Sequence, residues 1–172
     1  MIQFKSKRPK LLYLHGMNEE VDFPGGGIIY KTLKKYFNID MANLSSDPEQ
    51  GIKDFGRIRF NEYDLVVGFS MGGVYACCQD ITPVMLINPG FGLSKVFPGF
   101  EEIDGPMQKS NVKIVKVFLG RKDKHLDFLF PGIKRHKLTN KIVWVEDCKH
   151  VPDENILKSK IIPIISEYLK NP

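Results

Sequence analysis

Several short runs of this sequence are apolar at consecutive positions, and this feature constrains the fold more than any other. The clearest runs are "LVVGF" at 65–69 and "VMLI" at 84–87. A strand with one face in water alternates apolar and polar residues, whereas a strand with helices on both faces is apolar throughout. The sequence therefore predicts an α/β fold, with a mainly parallel sheet and helices on both of its faces.

Six apolar runs alternate with segments of helical character, so we expect about six strands. The predicted strands are Lys10–His15, Asn38–Leu44, Asp64–Phe69, Val84–Asn88, Val112–Leu119 and Lys141–Glu146. The predicted helices are Gly27–Tyr36, Met71–Gln79 and Asp153–Leu169. Proline lacks the N–H that a helix interior needs, so we expect Pro163 to kink or divide the last helix.

Length and composition favour one domain over residues 1–172. A chain of 172 residues, 42% of them hydrophobic, can bury one sizeable core. It contains no internal repeat and no linker, so we expect no separate cap domain. No stretch is long and apolar enough for a signal peptide or a membrane span, which predicts a cytoplasmic protein without a membrane partner.

Charge and cysteine usage exclude several classes of function. Lys and Arg outnumber Asp and Glu by 25 to 20, but the basic residues are spread along the chain without a nucleic-acid-binding pattern. Cys77, Cys78 and Cys148 do not form a disulfide framework, so we expect buried thiols. The histidines lack metal-ligand spacing, and the glycines at 25–27 lack the Lys-Ser/Thr ending of a phosphate-binding loop. The sequence predicts no nucleic-acid partner, no metal and no cofactor.

The pentapeptide "GFSMG" at 68–72 joins a predicted strand to a predicted helix. Ser70 in its centre is either a nucleophile on a strained turn or a cap of the following helix. The two glycines remove side chains where the strand and the helix approach each other, which a nucleophile turn requires. A helix cap needs no such glycines, so the pattern favours the nucleophile.

A serine nucleophile needs a general base and an acid that orients the base. Asp123 follows the fifth predicted strand and His150 follows the sixth. The carboxyl ends of parallel strands share one edge of the sheet, so both side chains are expected beside Ser70. Asp127 and Asp147 are alternatives for the acid, although they lie farther from the expected turn.

The segments "LLYLHGM", "GFSMGG", "LGRKD" and "DCKH" resemble those of the α/β-hydrolase superfamily over nearly the whole chain. The serine, aspartate and histidine also follow the superfamily's order. Together, "LLYLHGM", "VVGFSMGG" and "MLINPG" are similar to the small lidless bacterial YqiA-like esterases. The resemblance implies a serine esterase that forms an acyl-enzyme with a small-molecule acyl substrate. It also implies a strand order of 2-1-3-4-5-6, in which all crossovers are right-handed.

The resemblance also implies the groups around the triad. The backbone N–H groups of Met17 and Met71 are the expected oxyanion donors. Candidate pocket residues are His15, Phe23, Phe91, Phe97 and Phe128. His15 occupies the family's His-Gly position, which favours a structural or pocket-lining role over that of the base.

Other functions remain open at this point. A thioesterase or a peptidase uses the same triad, because both reactions pass through a tetrahedral oxyanion. A binding protein that has lost catalysis is the main alternative outside the enzymes.

Two further histidines are given no catalytic role. His125 and His136 lie beside a basic loop and are expected to be solvated surface groups. The sequence does not determine the oligomeric state.

Overall fold

The structure is a computed structural model that describes residues 9–17, 26–135 and 137–172, without the side chains of 128–131 and 135. Its strands are β1 (Lys10–Leu14), β2 (Asn38–Ala42), β3 (Leu65–Phe69), β4 (Val84–Ile87), β5 (Ile114–Gly120) and β6 (Ile142–Val145). They form one parallel sheet in the order β2-β1-β3-β4-β5-β6. The predicted fold class and strand order are confirmed, and the six predicted strands match to within two residues at each end.

Helical segments lie between the strands and after β6. They are α1 (Ile28–Leu33), α2 (Pro48–Phe55), α3 (Met71–Ala76), α4 (Leu126–Arg135), α5 (Glu154–Ile156), a π turn (Leu157–Ile161) and α6 (Ile162–Lys170). Short 3₁₀ turns occur at Phe60–Glu62, Leu93–Lys95 and Thr139–Lys141. No helix within the described residues is long and apolar enough to cross a membrane.

Two helices, α2 and α4, were not predicted. The sequence carries a signal for α2, because Asp47 followed by Pro48 is typical of a helix start. In the structure the Asp47 side chain accepts a hydrogen bond from the Gln50 N–H, and Pro48 occupies the first turn. The segment of α4 contains Pro131 followed by Gly132, a pair that ordinarily argues against a helix interior.

Alternate residues of the central strands pack on opposite faces of the sheet. In β3, Leu65, Val67 and Phe69 contact the core shared with α1 and with the C-terminal helical segment. Val66 faces the opposite core, which includes Tyr75 of α3 and Phe55 of α2. All residues of β3 are buried, as expected for a strand between two helical layers.

The predicted helix 71–79 is shorter than expected and ends at Ala76. The buried Gln79 side chain folds back at this point, and its Nε2 donates to the Thr82 carbonyl at 2.8 Å. Its Oε1 accepts from the N–H groups of Ile81 and Thr82 at 2.9 and 2.8 Å. Gln79 therefore forms hydrogen bonds with backbone groups of the loop that leads into β4. These bonds would not form if the helix continued through Gln79.

The C-terminal helix was predicted to kink or divide at Pro163, and the structure contains a π turn instead. The Ile162 N–H donates to the Leu157 carbonyl five residues earlier. Because Pro163 has no N–H to donate, the wider turn before it re-pairs the neighbouring backbone groups. The helical segment therefore continues through the proline from Glu154 to Lys170.

All three cysteines are buried free thiols. Burial raises the pKa of Cys77 and Cys148, and it raises the pKa of Cys78 to about 12. A buried thiol with a raised pKa is a poor nucleophile at neutral pH.

A surface ion-pair cluster connects α5 to the chain just beyond α1. Glu154 lies 2.8 Å from Lys35 and 3.0 Å from Lys158, and hydrogen bonds from these two lysines lower its pKa to about 2. The folded pKa is below the ordinary value of 4.5. The ionised carboxylate therefore contributes stability above that value, and the contribution disappears as the pH falls towards 2.

We expect Glu154→Gln to lower the melting temperature slightly at pH 7 and to have a smaller effect near pH 2.5, because much of the contribution of the ionised carboxylate is lost below its ordinary pKa of 4.5. The effect at pH 7 should be small because exposed ion pairs contribute little. Thermal melts of wild type and variant at both pH values measure the difference. Glu167→Gln on the same helical segment is the control, and an equal loss in that variant at pH 7 would contradict the assignment.

Candidate active site

Ser70 lies in a strained turn between β3 and α3. Its backbone has a φ of 49° and a ψ of −119°, a conformation that side-chain-bearing residues rarely adopt. The Ser70 N–H donates to the Ile87 carbonyl at 3.2 Å, and the Ser70 carbonyl accepts from the N–H groups of Gly73 and Gly90. Within the described residues Ser70 makes no side-chain capping bond to α3, so its interpretation as a helix cap is wrong.

Close packing of α3 against the sheet requires the two glycines of the pentapeptide. A Cβ on Gly68 would lie 2.8 Å from the Gly72 carbonyl oxygen and from the Gly73 Cα. A Cβ on Gly72 would overlap the backbone carbonyl of Leu14 in β1. These contacts leave no room for a side chain at either position, so the close packing of α3 on β1 and β3 surrounds the turn at Ser70.

The structure brings Ser70, His150 and Asp123 together from the ends of three different strands. The His150 Nε2 is 3.0 Å from the Ser70 Oγ, and the His150 Nδ1 is 2.7 Å from the Asp123 Oδ2. An ionised carboxylate only accepts hydrogen bonds, so the neutral ring carries its proton on Nδ1. The Nε2 lone pair is then available to accept the Ser70 hydroxyl proton.

Asp123 is held in its ionised form although its side chain is fully buried. Burial raises its pKa, but hydrogen bonds from His150 and from the His125 backbone N–H lower it, and the net pKa is below the ordinary range. The N–H bond from His125 is 2.9 Å long. Of the alternatives, Asp127 is exposed in the first turn of α4, and Asp147 is exposed and pairs with Lys122 at 2.8 Å.

The two predicted oxyanion donors, Met17 and Met71, lie on the two chain segments next to Ser70. Met71 is the first residue of α3, so its N–H has no acceptor within the helix. Met17 lines the cavity together with Ser70. The segment that carries Met17 passes close to the serine, because a Cβ on Gly16 would lie 3.4 Å from the Ser70 Cβ. The Gly72 N–H holds this segment by donating to the His15 carbonyl at 2.9 Å.

The pocket-lining role considered for His15 is not supported by its position. Its side chain is fully buried, its Nε2 accepts from the Leu44 N–H at 3.0 Å, and its Nδ1 donates to the Gly16 carbonyl at 2.6 Å. Both ring nitrogens are therefore used within the protein framework. His15 connects the loop after β1 to the loop after β2, behind the wall of the cavity.

A cavity of about 480 Å³ opens beside Ser70 and His150. Of the predicted pocket residues, Phe91 and Phe97 line it, while Phe23 and the Phe128 side chain lie outside the described residues. His136, which was predicted to be a solvated surface group, also lies outside the described residues. Further apolar walls come from Ile28, Phe69, Val96 and Val151. Among the described lining residues only the histidines at 125 and 150 are titratable, so the space favours uncharged ligands.

Sequence reasoning missed the position of His125. It is exposed, as predicted, but it also lines the cavity, and its ring contacts the His150 ring edge-on at a centroid distance of 5.1 Å. On another side of His150, the Phe69 ring is 5.3 Å away. The spacing of two residues between Asp123 and His125 could have indicated the backbone bond from His125 to the carboxylate, which is typical of Asx turns.

Asn88 is a second residue that sequence reasoning missed. It follows β4 directly, is fully buried, and has a φ of 40°. Its side chain hydrogen bonds to the backbone of both loops that carry Asp123 and His150. A polar residue at the end of an apolar strand, directly before Pro89 and Gly90, was the available signal.

No three His, Cys, Asp or Glu side chains of the described residues are arranged as a metal-binding group.

Comparison with known proteins supports the fold independently. No protein-family model and no curated protein sequence matches the chain. A YdeN-like hydrolase of Pectobacterium atrosepticum is similar in structure, with a TM-score of 0.54 and 15% identity over 94% of this chain and 91% of that chain.

Two further solved structures are similar. One is an inhibited esterase B from Lactobacillus rhamnosis, with a TM-score of 0.53 and 13% identity over 86% of this chain and 67% of that chain. The other is an S-formylglutathione hydrolase from Staphylococcus aureus, with a TM-score of 0.50 and 13% identity over 98% of this chain and 87% of that chain. At such low identity the likeness shows the fold, and the chain has the fold of the α/β-hydrolases.

Proposed function

We propose that this protein is a serine hydrolase that cleaves carboxylic esters with an uncharged, apolar acyl group. The observation that carries this proposal is the hydrogen-bonded series Ser70–His150–Asp123, which opens onto an apolar cavity. The presence of an esterase among the proteins that share the fold is consistent with it.

Acylation begins with attack by the Ser70 Oγ on the acyl carbonyl carbon, while the His150 Nε2 takes the hydroxyl proton. The carbonyl π electrons move to the oxygen, which becomes an oxyanion. The N–H groups of Met17 and Met71 donate to that oxygen, and such donors are most effective where water is excluded. The bond to the leaving group then breaks, and the leaving alkoxide takes the proton from His150.

Deacylation repeats these steps with water as the nucleophile. His150 takes a proton from the water as its oxygen attacks the acyl carbon, and the second oxyanion uses the same two donors. The Ser70 Oγ leaves with the proton from His150, which regenerates the enzyme and releases the carboxylic acid. Asp123 stays ionised and stabilises the imidazolium that forms in both halves of the reaction.

The cavity determines which acyl groups fit. Its volume of about 480 Å³ lies within the range of small-molecule sites. An acyl chain with a carboxylate or an ammonium group would lose its hydration there without finding a charged partner among the described lining residues. An apolar chain gains roughly 0.8 kcal/mol for each buried methylene group.

Chemical labelling and substitution test the nucleophile. A fluorophosphonate should modify Ser70, and Ser70→Ala should lose both labelling and ester hydrolysis while keeping its fold. Peptide mapping after labelling, combined with circular dichroism of the variant, measures both properties. Ser110→Ala, which changes an exposed serine before β5, is the matched control and should label normally. Labelling that survives in Ser70→Ala would refute the assignment.

Esters, thioesters and amides that share one short apolar acyl group test the reaction class. We expect the ester to be hydrolysed with the highest kcat/KM. A higher kcat/KM for the thioester or the amide would instead make the protein a thioesterase or a peptidase with the same triad. An intact cavity without labelling of Ser70 would indicate a binding protein.

The pH dependence of acylation tests the roles of the acid and the base. Because the pKa of Asp123 is below its ordinary value of 3.8, the carboxylate is ionised throughout the range above pH 5. The rate of acylation should therefore rise with pH through one ionisation, as His150 loses the proton that blocks it, and then level off. Single-turnover kinetics from pH 5 to pH 9 measure this profile. His150→Ala should remove the rise and most of the rate.

Asp123→Asn should lower kcat by about 10,000-fold, the size of the effect of the same change in another triad, because a neutral amide no longer favours the Nδ1–H tautomer. Asp127→Asn and Asp147→Asn are controls of equal chemistry on exposed carboxylates and should retain near-normal kcat. A silent Asp123→Asn beside a damaging Asp127→Asn would show that a different carboxylate orients the histidine.

A further inference from the structure

The structure assigns a further role to Asn88: we propose that it is a positioning residue, which holds the backbone of His150 at the distance from Ser70 that proton transfer requires. The kinetic part of this inference rests on the proposed hydrolase function. Its structural part rests on the hydrogen bonds of one buried amide.

The backbone of Asn88 places its side chain between two loops. Asn88 has a φ of 40°, in the left-handed region that asparagine tolerates better than most residues. Its N–H donates to the Phe118 carbonyl of β5 at 2.9 Å, which continues the sheet by one residue beyond β4. This conformation turns the fully buried side chain towards the loops after β5 and β6.

The amide uses both of its donors on the loop that carries the base. The Asn88 Nδ2 donates to the His150 carbonyl at 2.7 Å and to the Lys149 carbonyl at 3.0 Å. Residues 147–153 lie between β6 and α5, outside helix and strand. Backbone bonds of a regular element therefore do not hold His150, and the side chain of Asn88 takes over that function.

The same amide also holds the turn that carries the acid. The Asn88 Oδ1 accepts from the Gly120 N–H at 2.8 Å, and the Gly120 carbonyl accepts from the Asp123 N–H at 3.1 Å. The two loops pack directly on each other, because a Cβ on Gly120 would overlap the Cys148 carbonyl. The Asn88 side chain thus joins the acid's loop to the base's loop, in addition to the direct bond from the Lys122 N–H to the Cys148 carbonyl at 3.0 Å.

The chain next to Asn88 contacts the nucleophile. Two residues later, the Gly90 N–H donates to the Ser70 carbonyl at 2.8 Å, and a Cβ on Gly90 would lie 3.2 Å from the Ser70 carbonyl carbon. Residues 88–90 therefore contact the backbone of His150 on one side and that of Ser70 on the other. The 3.0 Å distance between the His150 Nε2 and the Ser70 Oγ depends on both contacts.

The asparagine side chain combines the two donors and the one acceptor that the bonds to Lys149, His150 and Gly120 need. Aspartate has the same shape and can still accept from Gly120, but its carboxylate would face two carbonyl oxygens without a proton to donate. Glycine would keep the left-handed backbone and lose all three side-chain bonds. The two substitutions therefore separate the role of the side chain from that of the backbone conformation.

A purely structural role would stabilise the fold without affecting the His150–Ser70 geometry. Gln79 provides the matched control, because it is also a buried amide that donates to a backbone carbonyl and accepts from backbone N–H groups. It lies before β4, at the opposite end of that strand from Asn88. Gln79→Glu removes donors in the same way as Asn88→Asp, but at the edge of the sheet away from the triad.

The experiment compares wild type, Asn88→Asp, Asn88→Gly and Gln79→Glu by three measurements. Thermal melting reports stability. Kinetics on a short apolar ester give kcat and KM separately, together with the rate of fluorophosphonate labelling. Proton NMR detects the downfield resonance of the His150 Nδ1–H bonded to Asp123, which is assigned by its absence in His150→Ala.

We expect all three variants to melt at lower temperature than wild type. Asn88→Asp and Asn88→Gly should also lose about 100-fold in kcat, the cost of a misplacement of about 1 Å, with little change in KM and a parallel loss in labelling rate. Both should shift or lose the His150 resonance. Gln79→Glu should retain the resonance and near-normal kcat at a temperature where it is folded.

Two outcomes would overturn the inference. One is an equal loss of kcat in Asn88→Asp and Gln79→Glu, and the other is an unchanged His150 resonance in the Asn88 variants. Failure of the proposed function is distinguishable, because wild type would then show neither labelling nor turnover. In that case the NMR resonance alone decides whether Asn88 positions His150.

Discussion

The left-handed backbone at Ser70 is the constraint on which the rest of the site depends. Such a conformation costs roughly 1–3 kcal/mol and persists only where the surrounding structure leaves no alternative. Here the close approach of α3 to β1 and β3, which Gly68 and Gly72 permit, prevents the turn from relaxing. The Ser70 carbonyl also accepts two backbone hydrogen bonds, from Gly73 and Gly90, which offset part of the cost. Ser70 thereby lines the cavity at the edge of the sheet, with its hydroxyl next to His150.

The parallel sheet explains why every other part of the site is found at that edge. All six strands point in one direction, so the residues that follow them emerge together although they are far apart in sequence. Asn88 contacts a loop that is 61 and 62 residues away in the chain, and Ser70 and His150 are 80 residues apart. Cooperative folding of the sheet is therefore a precondition for any of these contacts.

This topology also separates what could be predicted from what could not. The strands and the set Ser70, Asp123 and His150 follow from local apolar runs and from the rule that strand ends share an edge. Asn88 could not be assigned a role in this way, because its partners are backbone groups of loops whose paths the sequence does not specify. The helix through Pro131 was missed for a related reason, since Pro131 and Gly132 disfavour helix locally whereas Ile133 of the same helix packs in the core.

Among Ser70, His150 and Asp123, His150 depends most on hydrogen bonds for its position. Its side chain is 27% exposed, whereas that of Asp123 is 0% exposed, so packing alone does not immobilise the ring. The Asp123 carboxylate fixes the tautomer and one end of the ring, but it cannot fix the backbone that carries the ring.

A ring held only through its Nδ1 could pivot about that bond and move its Nε2 away from Ser70. Bonds to the backbone carbonyl of His150 restrict this pivot, and the neighbouring rings of Phe69 and His125 restrict rotation of the imidazole. The direction of the Nε2 lone pair thus results from a buried charge, a buried amide and two aromatic contacts acting together.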